Sequence, residues 1–76
     1  MKNLTDLTQF SNEDLETLCE LENPNLTEET IHNLNRKYTK DTLILYLYSC
    51  IQDSEHDGED EPHLHNNLFT INTILS

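Results

Sequence analysis

The sequence predicts an all-α fold, a small bundle of three to four short helices with an acidic loop at 53–61. Three observations carry that expectation. Apolar residues, mostly Leu and Ile, recur at helical spacing. The 76 residues include a single Gly, Gly58, and only two Pro, Pro24 and Pro62, so long stretches run without a breaker. Ser or Thr residues stand just before three of the apolar segments, where a helix cap belongs.

Leu4, Leu7 and Phe10 recur at i, i+3, i+6 and suit a short helical turn or an apolar arm. Ser11 then caps a first helix, with Glu13 and Asp14 at the positive end of its dipole. Leu15, Leu18, Cys19 and Leu21 form its apolar stripe. Pro24 ends it and restricts Asn23. Thr27 caps a second helix with Ile31, Leu34 and Tyr38 on one face. Thr39 caps a third, with Asp41 in its first turn. Leu43 to Tyr48 is apolar on every side and fits a central helix, or a buried strand by periodicity alone. Pro62 suits the first position of a last helix with the stripe Leu64, Leu68, Ile71 and Leu75. Phe69, Ile71, Thr73 and Leu75 also alternate. The alternative architecture is therefore α+β, with a hairpin of 43–51 and 67–75 joined by the acidic loop.

Residues 1–76 make one domain at most, and so short a chain buries only about 60% of its unfolded surface. Pairing of two subunits through spare apolar faces would add burial, so a homodimer is expected. No apolar run approaches the roughly 18 residues of a membrane span. The start, Met1 to Asp6, has no signal-peptide core, so a cytoplasmic protein is expected, with Cys19 and Cys50 as buried, reduced thiols.

Fifteen Asp and Glu oppose four Lys and Arg, a formal net charge of −11. The acids come in two blocks. Residues 1–30 hold eight acids and one Lys; residues 53–61 hold six acids and no base. Between them, Asp41 stands against Arg36, Lys37 and Lys40. Solubility of a small domain asks for a net charge of only about 2 to 8, and self-repulsion costs stability. The excess points to a surface that meets a basic partner. Glu13, Glu16 and Glu20 share one face of the first helix, at i, i+3, i+7. With Glu28, Glu29, Asp53, Glu55, Asp57, Glu59, Asp60 and Glu61 they are the expected partner-binding residues. Direct binding to nucleic acid is disfavoured, because phosphates are repelled.

Signals for other chemistry are weak. Asp53, Glu55 and Asp57 with Gly58 resemble the opening of a calcium-binding EF-hand loop. Leu64 then stands where that loop needs a bidentate Glu. His56, His63 and His65 cluster near the acids, but His63 and His65 are i, i+2 and diverge on a helix, so the expectation is solvent-exposed His and no metal site. No nucleophile elbow, phosphate loop or Cys–His signature occurs, so neither catalytic residue nor cofactor is expected.

In size, acid surplus and Leu-rich core the chain resembles phage-encoded acidic DNA-mimic proteins of host takeover. That resemblance implies a stoichiometric inhibitor without cofactor. Its partner would be a basic DNA-binding host protein, such as the HU-like nucleoid proteins, in the bacterial cytoplasm. The competing expectation is a helical adaptor or antitoxin-like module. It would bind through apolar faces, Leu43 to Ile51 and the stripe Leu64, Leu68, Ile71 and Leu75.

Overall fold

The computed structural model describes residues 6–76, and these carry four α-helices and no strand. A 3-10 turn at Leu7–Gln9 leads into α1 (Asn12–Leu18), which tightens into a 3-10 segment at Cys19–Glu22. Then follow α2 (Glu28–Lys37), α3 (Lys40–His56) and α4 (Pro62–Ile74). The all-α bundle is thus the fold, and both 43–51 and 67–74 are helical. The hairpin alternative fails because Ile71 is buried while Phe69 and Thr73 face solvent, within one continuous helix. Leu4 lies outside the described residues.

Each helix start follows from its cap. Ser11 Oγ accepts from Asp14 N–H at 3.1 Å, and Asp14 Oδ2 accepts from Ser11 N–H at 3.3 Å, a reciprocal capping box. Thr27 and Thr39 use one arrangement twice. Each hydroxyl accepts from the amide three residues on, at 3.2 Å, and lies 2.9 Å from that residue's own threonine hydroxyl. Pro62 opens α4 at its first turn.

The α3–α4 hairpin is the frame. Its inner face packs on the Cys19–Glu22 segment and on α2. Leu18, Leu21, Ile31, Leu43, Leu47 and Ile71 are fully buried there, and Leu64 nearly so. Each such side chain contributes about 1.5–3 kcal/mol relative to exposure. Leu64 and Ile71 of the expected stripe therefore belong to the core, with Leu68 and Leu75 half-buried beside it.

Two expectations are corrected. The acidic loop is shorter than 53–61, because α3 continues through Asp53, Ser54, Glu55 and His56. Nothing before Gly58 breaks the helix, and the acidic side chains there point to solvent. Gly58, at φ 77°, ends the helix in a Schellman turn. Its N–H donates to the Glu55 carbonyl at 3.2 Å, and Glu59 N–H donates to the Ser54 carbonyl at 2.9 Å. Residues 53–56 therefore cannot wrap a cation as an EF-hand loop does, and Gly58 serves as a helix stop. Cys19 is also not buried. It is exposed where α1 passes into the 3-10 segment, while Cys50 is half-buried.

A candidate partner-binding surface

Helix ends and tyrosines decide which acids are free. Asp14 is buried, holds the cap of α1 and accepts the Tyr38 hydroxyl at 2.8 Å. Burial, and next the Asp14 carboxylate, raise the Tyr38 phenol above its ordinary value. This bond ties the first turn of α1 to the residue that ends α2. Beside it an open cleft of about 500 Å³ has Glu13, Asp14 and Thr17 on one wall and Arg36 and Lys37 on the other.

Glu22 is occupied in the same way. Its carboxylate accepts the Tyr46 hydroxyl at 2.6 Å, with the Cys19 sulfur 3.5 Å from that hydroxyl. Burial is the main cause that raises the Tyr46 phenol far above the usual value. Burial, then the negative charge of Glu22, pushes the Cys50 thiol up to about 12, so it stays protonated and unreactive at neutral pH.

The 3-10 segment is fastened to α4 by two further side chains. Asn67 Nδ2 donates to the Leu21 carbonyl at 2.8 Å and to the Asn23 carbonyl at 2.9 Å. The His63 ring meets the Glu22 carbonyl at 3.0 Å. His63 is therefore half-buried and structural, where a solvent-exposed His was expected. These contacts satisfy the carbonyls that a helix end leaves open. Sequence reasoning missed Asn67. Its signal was present: a polar residue at i, i+3, i+7 with Leu64 and Ile71, on the core stripe of α4.

The remaining acids point outward. Glu13, Glu16, Glu20, Glu28, Glu29, Asp53, Glu55, Asp57, Glu59 and Asp60 are exposed, and Glu61 is half-buried. Glu28 meets His32 at 3.4 Å and Glu55 meets His65 at 3.8 Å. Among the described residues no Lys or Arg neutralises any of the eleven. Glu20 falls in the 3-10 segment, so its advance from Glu16 is about 7 Å rather than 6 Å. Because the His63 ring meets the Glu22 carbonyl, Glu22 lies beside the start of α4. Glu13 stands at the other end of α1, where it faces Arg36 and Lys37 across the cleft. Glu28 and Glu29 sit apart, in the first turn of α2, where they favour its dipole.

Among the described residues no three His, Cys, Asp or Glu side chains converge as metal ligands. No buried side-chain polar atom there lacks a partner. No helix of the described residues is long and apolar enough to cross a membrane. What the surface offers chemically is a row of carboxylates able to accept charge-assisted hydrogen bonds, bidentate with Arg. The chain matches no family model, no curated protein and no solved structure in the comparisons made.

Proposed function

We propose that this protein is a non-enzymatic DNA mimic. It occupies the nucleic-acid-binding surface of a basic host protein, such as an HU-like nucleoid-associated protein, in the cytoplasm of a bacterial cell. It works by stoichiometric inhibition, as phage host-takeover proteins do, and needs no cofactor.

One observation carries the reading: acids are kept where they weaken the fold. Asp53, Glu55 and Asp57 stand in the last turn of α3 or at its cap, where the helix dipole is negative and repels them. Asp57, Glu59 and Asp60 follow, and among the described residues none of them pairs with Lys or Arg. Such a cluster costs stability and serves no internal contact beyond the weak Glu55–His65 pair. A basic partner turns that cost into attraction. Arg and Lys groups that hold phosphates, one per about 3.4 Å of helix axis on each DNA strand, would meet carboxylates on α1 and the loop instead.

The test is competition between this protein and duplex DNA for an HU-type protein, read by fluorescence anisotropy across a salt series. Affinity is expected to fall steeply with salt and DNA to be displaced. Replacing Asp57, Glu59, Asp60 and Glu61 together by Lys should weaken the complex about 100-fold, or about 2.7 kcal/mol over four exposed pairs. Circular dichroism checks that the variant keeps its helices. Binding that ignores salt, or a variant that still displaces DNA like the parent, sinks the electrostatic account. Salt-insensitive binding would favour the apolar adaptor.

A further inference from the structure

We propose that Cys19 and Cys50 form a redox pair: a peroxide oxidant joins them in a disulfide that fastens the 3-10 segment to α3. This inference is independent of DNA mimicry.

These are the two cysteines of the sequence, and the fold brings both to one tyrosine. Cys19 Sγ lies 3.5 Å from the Tyr46 hydroxyl. Cys50 stands one helical turn after Tyr46 on α3. Its thiol faces the same hydroxyl and the Glu22 carboxylate, which that hydroxyl binds at 2.6 Å. Two sulfurs that share one hydroxyl neighbour lie at most about 8 Å apart. A χ1 rotation moves a sulfur by about 3 Å, and exposed Cys19 has room to turn. The Cα atoms of α3 and the segment already approach within 8 Å, near the separation of about 4.4–6.8 Å that a disulfide spans. The Asn67 and His63 bonds hold the segment from Leu21 onwards, so its Cys19 end is the part able to shift.

The two thiols differ as such a pair requires. Cys19 is exposed, so a dissolved oxidant reaches it. Cys50 is half-buried, and burial, then the Glu22 charge, pushes its thiol up to about 12, so it is inert towards a dissolved oxidant. At pH 7 only about one Cys50 in 10⁵ is a thiolate. Towards a sulfur held beside it, proximity offsets that deficit, with an effective concentration of about 10⁵ M or more.

With hydrogen peroxide the chemistry balances in two steps. The Cys19 sulfur attacks one peroxide oxygen, the O–O bond breaks, and water leaves with the thiol proton. Cys19 is then a sulfenic acid. The Cys50 sulfur attacks the Cys19 sulfur, the S–S bond forms and the S–O bond breaks. The oxygen leaves as a second water that carries the Cys50 proton. Two thiols lose two electrons and one peroxide gains them. Cys50 is a poor leaving group for the same reason that it is a poor acid, so the closed disulfide is slow to reduce.

The test is intact-mass spectrometry of the full chain after treatment with one equivalent of hydrogen peroxide at low micromolar protein. The 8.9 kDa mass should fall by about 2 Da, two hydrogens, and peptide mapping should find Cys19 joined to Cys50. Melting followed by circular dichroism should rise by about 10–25 °C, because closing a loop of about 30 residues restrains the unfolded chain. Prolonged dithiothreitol should reverse both changes. Cys50→Ser should instead gain about 16 Da at Cys19. Cys19→Ser should keep a free Cys50 thiol. Circular dichroism checks that both variants keep their helices. A parent chain that gains oxygen without losing the two hydrogens overturns the proposal, as does one that links to a second chain or melts lower once oxidised. Oxidation of Cys50 in Cys19→Ser overturns the division of roles. None of these outcomes alters the expected displacement of DNA by the reduced protein.

Discussion

Asn67→Ala is the most informative single perturbation of this fold. The Asn67 amide is 6% exposed and donates to two carbonyls, those of Leu21 and Asn23. The Leu21 bond is buried and the Asn23 bond partly so. Alanine removes both and leaves the Leu21 carbonyl without water or partner. An unsatisfied buried acceptor costs about 1–3 kcal/mol, and the half-exposed one less. The expected loss is about 2–4 kcal/mol. A chain of this length has about 4–11 kcal/mol in total. At about 4–8 °C per kcal/mol, melting should fall by roughly 8–32 °C. The assay is thermal unfolding followed by circular dichroism, with Asn72→Ala as control. Asn72 donates to Leu68 on the exposed side of the same helix, so its loss should stay within about 0.5 kcal/mol. If Asn67→Ala melts within about 2 °C of the parent, the carbonyls do not depend on Asn67 and the reasoning fails.

Tyr38→Phe should cost about 1.5–3 kcal/mol, since it removes a hydrogen bond to a buried carboxylate, and chemical denaturation reads it. A parent-like midpoint would mean that the Tyr38–Asp14 bond contributes nothing net. Alkaline stability should decline in a defined order. Cys50, Tyr38 and Tyr46 all have folded-state pKa values above their unfolded ones. Each contribution is therefore complete below the unfolded pKa and fades as pH rises towards the folded one. Loss should begin near pH 9, where an unfolded Cys ionises, and deepen above about 10 as unfolded Tyr does. Cys50→Ala should flatten the first part of that curve up to about pH 12. Denaturation midpoints measured from pH 8 to 12 with an identical slope for both proteins would refute the assignment to Cys50.

The helical boundaries were legible because they are local. Ser11, Thr27 and Thr39 each satisfy amides within three residues, and Pro24 and Pro62 act through their own ring geometry. The end of α3 was less legible. Asp53 to His56 read as loop by composition, yet acids on an exposed face do not break a helix, and the stop is Gly58 at positive φ. The exposure of ten of the eleven acids, all but half-buried Glu61, follows from their spacing outside the apolar stripes. Which other acids the fold consumes did not follow. Glu22 is taken up by Tyr46, and Asp14, besides its local cap with Ser11, by Tyr38; each tyrosine lies 24 residues away.

By itself the sequence determined an all-α chain with capped helices, a Leu and Ile core and an acid surplus in two blocks. These depend on near neighbours and on composition, which the chain carries wherever it folds. Tertiary structure decided the rest. It turned Cys19 outward and buried Asn67 against the Leu21 and Asn23 carbonyls. It set Glu22 against His63 at the start of α4, and it left Tyr48 and Phe69 exposed. Each of these depends on which face of one helix meets another. A contact across 41 or 46 residues, such as His63 or Asn67 on the 3-10 segment, has no local signature to read.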